Sequence, residues 1–107
     1  MNELILVLTT MPGDDPADSM ARALVDERLA ACVNVYPPMI STYRWQGAVT
    51  TESEWLLVVK TRRDRFDDVR AAIRELHTYE VPEIVMLDIA DGDAAYLAWI
   101  DSSLAGE

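Results

Sequence analysis

Three short segments of this chain are apolar at every position, and they limit the folds that it can adopt. They are residues 4–8, 55–59 and 84–87. Runs of four or five residues rich in Val, Ile and Leu are typical of β-strands. An antiparallel sheet with one solvated face alternates apolar and polar residues, so runs without alternation predict a sheet that is covered on both faces.

Two amphipathic helices are predicted between these strands. The first starts where Asp15 provides a cap and Pro16 the first helical residue, and its apolar stripe is Ala17, Met20, Ala21, Leu24 and Val25. The second starts after Asp64, its expected cap, and has the stripe Phe66, Val69, Ile73 and Leu76. We interpret the arginines around the second helix as a solvated face.

The segment between the first helix and residues 55–59 predicts one long edge strand. Residues 32–50 contain β-branched and aromatic residues, but Pro37 and Pro38 cannot donate ladder hydrogen bonds, so the strand should bend there. Gln46 and Gly47 are the expected point at which the strand reverses or kinks. A last helix, with Tyr96, Trp99, Ile100 and Leu104 on one side, is capped by residues 91–93.

The resulting order β-α-β-β-α-β, followed by a helix, predicts an α+β protein of the ferredoxin-like class. Right-handed crossovers place both main helices on one face of an antiparallel sheet, with the first and third strands in its centre. We expect residues 1–107 to form a single domain, because 107 residues supply only one core. The last helix is too short to cover the second face, so we expect a homo-oligomer packed sheet to sheet.

Charge and cysteine content narrow the possible partners and compartment. Lys and Arg number 9 against 19 Asp and Glu, and the net charge of −10 disfavours nucleic acid and anionic membranes. A single cysteine permits no internal disulfide, which fits a reducing cytoplasm. No signal core or apolar stretch of bilayer length is present, so we expect no membrane insertion.

Five motifs resemble the successive signatures of the CutA divalent-cation tolerance proteins over essentially the whole chain. They are residues 29–34 (LAACVN), 43–47 (YRWQG), 60–61 (KT), 77–83 (HTYEVPE) and 96–99 (YLAW). The resemblance implies a cytoplasmic homotrimer of ferredoxin-like subunits, similar in architecture to the PII signalling proteins, with a role in copper tolerance. It implies no enzymatic activity and no required cofactor.

Two positions depart from the family pattern. The family's heptapeptide usually reads His-Pro-Tyr, whereas this chain has Thr78, which loosens the turn but keeps His77 and Tyr79. Some members have a cysteine near the end of the first strand, where this chain has Thr9 and Thr10. A metal site that uses that thiolate does not transfer to this chain.

The candidate metal ligands are His77, Glu80, Glu83 and Cys32, for Cu²⁺ or another divalent cation. Imidazole and thiolate suit copper, but each residue also has a structural interpretation. His77 ends the second helix, where it can cap the last carbonyls, and Cys32 lies between apolar neighbours, where free cysteine is usually buried. The sequence leaves both interpretations open.

Other acidic groups do not indicate sites. Asp14, Asp15 and Asp18 suit a helix N-terminus as well as a hard cation, and residues 91–93 lack the spacing of a calcium loop. Glu52 and Glu54 are interpreted as part of a solvated face.

Three classes of function remain. The first is a non-enzymatic trimer that responds to metal ions, and the second is a PII-like signalling or adaptor trimer that binds a small effector in clefts between subunits. The candidate residues of such a cleft are Tyr43, Trp45, Lys60 and Tyr79. An enzyme is third, because the loop after the first strand has no arginine for a phosphate and the single histidine is thin support for a hydrolase. The sequence identifies no protein partner.

Overall fold

The computed structural model describes residues 3–106, which form four strands, three α-helices and one 3₁₀ turn. In chain order these are β1 (Leu4–Pro12), α1 (Ala17–Asp26), β2 (Cys32–Trp45), β3 (Ala48–Arg62), the 3₁₀ turn (Arg63–Arg65), α2 (Phe66–Leu76), β4 (Val85–Asp88) and α3 (Ala94–Ala105).

The strands form one sheet in the order β2-β3-β1-β4, and every neighbouring pair is antiparallel. This order puts the first and third strands in the centre and confirms the predicted α+β, ferredoxin-like βαββαβ fold with an additional C-terminal helix. The central pair runs along the whole of β1, from Leu4 opposite Arg62 to Pro12 opposite Glu54.

The main core lies between the sheet and the helices α1 and α2. Met20 and Leu24 of α1 and Val69 and Ile73 of α2 are buried against one face of the central strands. The strand residues of that face are Ile5, Val7, Leu57 and Val59, all with no exposed area. The helical stripes read from the sequence therefore pack as predicted at their centres, while their ends, Val25 and Leu76, are exposed.

The helix starts differ from the predictions in two of three cases. Pro16 occupies the N-cap position of α1 itself, and no side chain caps that helix. Asp64 lies inside the 3₁₀ turn that precedes α2 and pairs with Arg62 instead of capping the helix. At α3 the prediction is confirmed, because the Asp93 carboxylate accepts a 3.1 Å hydrogen bond from the Tyr96 amide.

β2 and β3 form a hairpin longer than the sequence predicted. The reversal lies at Gln46 and Gly47 as expected, with φ of 51° and 82°, the combination that a two-residue type I′ turn needs. β3 begins at Ala48, well before the apolar run, because its polar first half pairs with β2. The ladder shifts register between Tyr36 and Met39, where the two prolines lie.

Beyond the end of β1, no other strand among residues 3–106 lies beside this hairpin. We call residues 40–53 the arm. The structure measures 44 Å along its longest axis and 26 and 24 Å across. A two-stranded ribbon is marginally stable in isolation, so contacts outside the sheet must support the arm.

The helix α3 closes one end of the second face of the sheet. Ile100 and Leu104 are buried there against Leu4 and Ala31, in a small second cluster. Arginines hold the helix end: Arg28 Nη1 donates to the Ser103 carbonyl at 2.8 Å and Arg65 Nη2 to the Leu104 carbonyl at 3.2 Å. The interpretation of the arginines as a solvated face is therefore wrong for Arg65.

The rest of the second face is apolar and open in the single chain. Leu6, Leu8, Leu56 and Val58 point to this side and are only half-buried. At the neighbouring strand Val85 and Leu87 are 45% and 43% exposed. We call this surface the open face. None of the helices among residues 3–106 has the length and hydropathy to span a membrane.

Candidate functional site

A groove of about 550 Å³ lies between the arm and the loop that follows α2. Its walls combine carboxylates with aromatic rings, hydroxyls and one aliphatic side chain: Thr10, Ser41, Thr42, Tyr43, Trp45, Thr50, Glu52, Glu54, Tyr79, Glu80, Val81 and Glu83. This volume falls within the range of small-molecule sites.

The β2–β3 ladder builds one wall of the groove. Successive side chains alternate across a strand, so Ser41, Tyr43 and Trp45 share one face of β2. Their ladder partners include Glu52 and Thr50, and these project from the same side of the arm. The positive-φ turn at the tip is what allows the two strands to align without splaying.

His77 anchors the opposite wall. Its Nε2 lies 2.5 Å from the carbonyl oxygen of Thr10, and its Nδ1 accepts a 3.0 Å hydrogen bond from the Tyr79 amide. An imidazole that accepts at Nδ1 carries its proton on Nε2, which therefore donates to Thr10. Nε2 thus joins the loop to β1, Nδ1 fixes the ring to the loop's own Tyr79 amide, and the ring does not cap the carbonyls of α2.

Tyr79 links the two walls directly. Its hydroxyl donates a 2.7 Å hydrogen bond to Glu54 Oε2, and its ring packs on His77 with the ring centroids 4.6 Å apart. Burial, followed by the neighbouring Glu54 carboxylate, raises the pKa of the Tyr79 phenol well above its usual value. The phenol is therefore a fixed donor over the physiological pH range.

Glu54 is the residue that the sequence interpretation missed. It is only 7% exposed, so its assignment to a solvated face is wrong, whereas Glu52 is exposed as expected. Tyr43 donates to Glu52 Oε1 over a longer distance of 3.3 Å. The two-residue spacing of Glu52 and Glu54 on a strand was the available signal, since it puts both on one face.

The predicted cleft residues divide between two places. Tyr43, Trp45 and Tyr79 line the groove, but Lys60 does not. Lys60 Nζ lies 3.1 Å from the Tyr96 hydroxyl and 5.3 Å from the centre of that ring, near α3. The hydrogen bond with Tyr96 is the main cause that raises the pKa of Lys60.

The predicted metal ligands also lie in two separate regions of the structure. Glu80 and Glu83 line the groove and are exposed, and His77 braces the loop that carries them. Cys32 is half-buried opposite Lys60, whereas Thr10, the partner of His77, is opposite Leu56. These β3 positions are separated by about 13 Å, given the strand rise of 3.3 Å per residue.

Within residues 3–106, no three His, Cys, Asp or Glu side chains are placed to hold one metal ion together. The carboxylates share the groove without converging on a point. A complete metal site on this chain would need further ligands, and the predicted ligand set stays a prediction.

The fold and the groove define a class of protein: a ferredoxin-like sandwich with a projecting two-stranded arm and an acidic, aromatic groove beneath it. The family model described as CutA1 divalent ion tolerance protein matches residues 5–103. The chain belongs to this family, as the sequence motifs predicted.

Individual relatives match this chain over most of its length. The divalent-cation tolerance protein CutA of Thermus thermophilus is 48% identical over 100 residues, which are 94% of this chain and 95% of the relative. The rice protein named CutA 1, chloroplastic, is 38% identical over 92% of this chain, which spans 56% of the rice protein's length. The crystal structure of CutA from Xylella fastidiosa, 38% identical, superposes with a TM-score of 0.91 over 95% of this chain and 98% of that one.

Proposed function

We propose that this chain is the subunit of a non-enzymatic homotrimer that takes part in the response to divalent metal ions. The observation that supports a homo-oligomer is the open face, which is apolar and uncovered in the single chain. Leu6, Leu8, Leu56 and Val58 would forfeit several kcal/mol if they stayed wet, at about 25 cal/mol per Å² of apolar surface. Packing against further copies covers this face and supports the arm, where Ile40 and Val49 are 71% and 65% exposed.

In this proposal the trimer binds Cu²⁺, or another divalent cation, at the groove. Glu80 and Glu83 supply exposed carboxylates, and a second subunit supplies the remaining ligands. His77 enters the metal's coordination only by giving up its bond to Thr10 or to the Tyr79 amide. Cys32 belongs to a different region of the sheet and serves as a structural residue unless a second subunit brings it to the metal.

The test combines sedimentation with calorimetric titration of Cu²⁺. We expect a trimer at micromolar concentration, with Cu²⁺ affinity that falls at least tenfold in Glu80→Gln/Glu83→Gln. Cys32→Ser and Asp26→Asn, the second on the exposed end of α1, are the controls and should leave the affinity within twofold. A monomer, or equal affinity in every variant, would overturn the corresponding half of the proposal.

The cytoplasm is the location that we propose with this function. The argument for it is the single cysteine, which is unpaired and half-buried in this chain. Because one relative is named as chloroplastic, fractionation of the native cells is the direct test.

A second function is favoured by the groove itself. We propose, as the alternative, that the trimer is a PII-like adaptor that binds a small effector in clefts between its subunits. The groove borders the open face, because Thr10, which lines it, pairs with Leu56 of that face. A ligand held there would contact one subunit and lie beside the next, and it could report its presence through the assembly.

A further inference from the structure

We propose that the groove binds an organic cation, namely an ammonium or guanidinium group carried on a short aliphatic chain. The inference rests on the alternative function above, the binding of a small effector, and names the chemical class of that effector. It depends on three features of the groove: a buried glutamate without an ion-pair partner among residues 3–106, an aromatic wall, and carboxylates that do not converge on one metal ion within a single subunit.

The buried carboxylate belongs to Glu54. Its only hydrogen-bond donor among the contacts described is the Tyr79 hydroxyl, a neutral group, and no ion pair within residues 3–106 includes it. Taking a carboxylate out of water without a positive partner is costly, yet the residue is 7% exposed. A cation that enters the groove would offset this cost.

The other charged residues of the groove also favour the binding of a cation. Glu52, Glu80 and Glu83 also line the groove, and its twelve lining residues include no Lys, Arg or His. The four carboxylates attract a cation into the groove and repel nucleotides and other anionic effectors. We therefore do not expect the groove to bind a phosphorylated ligand, even if the trimer is PII-like in its assembly.

The aromatic wall selects an organic cation over an inorganic one. Trp45, Tyr43 and Tyr79 surround the carboxylates, and Trp45 keeps 45% of its surface exposed. Indole and phenol faces attract ammonium and guanidinium groups, with an energy that rises when water is excluded. Val81, which is 67% exposed, offers an apolar contact for the carbon chain.

The spacing of the carboxylates also favours an organic cation over a bare metal ion. A bare divalent ion requires several oxygen ligands within 2–2.6 Å, and no three acidic, histidine or cysteine side chains within the described part of the chain meet that need. A guanidinium group, or an aliphatic chain with an ammonium group at each end, spreads its donors over a larger volume. It can therefore satisfy carboxylates that do not converge.

The experiment titrates the assembled protein with putrescine, spermidine and agmatine by calorimetry, with 1,4-butanediol as the neutral analogue of putrescine. The peptides Gly-Lys-Gly and Gly-Arg-Gly, acetylated at the N-terminus and amidated at the C-terminus so that the side chain carries the only charge, test a peptide-borne source of the same cationic groups. All titrations are repeated at 0.3 M NaCl, where long-range attraction to the chain's net charge of −10 is screened. We expect at least one free cation to bind at both salt concentrations and butanediol not to bind; tighter binding of a peptide would identify the effector as a protein side chain.

Matched variants locate the site. Glu54→Gln keeps a hydrogen-bond acceptor for Tyr79 but removes the charge, and we expect it to weaken cation binding at least tenfold. Trp45→Leu should weaken it about three- to tenfold, the range that corresponds to a partly exposed cation–π contact. Asp26→Asn changes the net charge by the same amount as Glu54→Gln but lies on α1, outside the groove, and should leave binding within twofold. Should Glu54→Gln fail to fold, Glu83→Gln, at an exposed position, replaces it.

Three results would overturn the proposal: equal binding of putrescine and butanediol, equal loss of affinity in the groove variants and Asp26→Asn, or no binding of any organic cation. Sedimentation and Cu²⁺ titration of the same samples test the proposed metal-response function separately from the binding of an organic cation. A trimer that binds Cu²⁺ but no organic cation retains the metal-response function and refutes the effector class. A trimer whose groove is filled by a neighbouring subunit would likewise bind no cation.

Discussion

Tyr79 and Glu54, 25 positions apart in the chain, are joined by a 2.7 Å hydrogen bond from the phenol to Oε2. This bond connects the loop after α2 to the base of the arm. It closes one side of the groove and gives a buried carboxylate its donor, so the shape and the charge of the groove depend on the same contact.

Removing that donor should destabilise the protein. In Tyr79→Phe the carboxylate of Glu54, a residue that is 7% exposed in the wild-type chain, loses its hydrogen bond, and we expect the free energy of unfolding to fall by about 1–3 kcal/mol. Tyr43→Phe is the control, because its 3.3 Å bond to exposed Glu52 should contribute less than about 0.5 kcal/mol. Urea denaturation at fixed protein concentration measures both, and equal losses would contradict the assignment.

The raised pKa of Tyr79 predicts a dependence of stability on alkaline pH. The folded phenol has a pKa above the usual tyrosine value of about 10, so its contribution to stability is fully present below about pH 10 and is lost as the pH rises towards the folded pKa. The difference in unfolding free energy between wild type and Tyr79→Phe should therefore be constant from pH 7 to 9 and shrink above pH 10. A difference that grows above pH 10 would show that the sign is wrong.

Two buried threonines on adjacent strands offer a matched test of the core. Thr9 Oγ1 is the one buried side-chain polar atom without a partner among residues 3–106, whereas Thr61 Oγ1 donates a 2.6 Å bond to the Leu29 carbonyl. Valine has nearly the same shape, so Thr9→Val should raise the unfolding free energy by about 1 kcal/mol and Thr61→Val should lower it by about 1–3 kcal/mol. Changes of the same sign in both variants would contradict the assignment of the two hydroxyls.

The turn at the tip of the arm predicts substitutions with opposite effects. Gly47 has φ +82°, and a Cβ built there meets nothing within 4 Å, so Gly47→Ala should cost about 1 kcal/mol through the backbone alone. Gln46 has φ 51°, a conformation that asparagine adopts more readily, so Gln46→Asn should stabilise the arm by a few tenths of a kcal/mol. Thermal unfolding at one protein concentration compares them, and a stabilising Gly47→Ala would refute the turn type.

The bracing role of His77 predicts a local effect that can be separated from metal binding. In His77→Ala the Tyr79 amide and the Thr10 carbonyl both lose a partner, so amide hydrogen exchange at Tyr79 should accelerate at least tenfold. The measurement is made without metal. Exchange unchanged from wild type would mean that the ring does not hold the loop, and any Cu²⁺ effect of the substitution would then be direct.

The fold was predictable because burial and periodicity act locally. The apolar runs at residues 4–8 and 55–59 predict the central strands. The apolar stripes through Leu24 and Ile73 predict the helices that cover those strands. The extent of β3 could not be predicted in the same way. Residues 50–54 are polar, and pairing with β2 holds them in the sheet, which a search for apolar patterns does not detect. Boundaries set by pairing partners depend on a distant part of the chain.

The groove was half predictable for a similar reason. Tyr79, Glu80 and Glu83 stand together in one motif and were recognised, as was Trp45 at the tip of the arm. Glu54 was not recognised. Its spacing from Glu52 shows only that the two side chains share a face of the strand, and its neighbours Ser53 and Trp55 do not show that Glu54 is buried. Its burial arises from the Tyr79 loop, which lies 25 residues further along.

The attachment of α3 by Arg28 and Arg65 has an evolutionary consequence. Both guanidinium groups donate to main-chain carbonyls, of Ser103 and Leu104, and a main-chain carbonyl is the same whatever side chain the residue carries. Substitutions along the outer surface of the helix therefore leave this attachment intact, provided that the buried Ile100 and Leu104 stay apolar. Exposed positions of α3 outside the Tyr96–Trp99 motif can therefore change, and acquire new surface chemistry, at little risk to the fold.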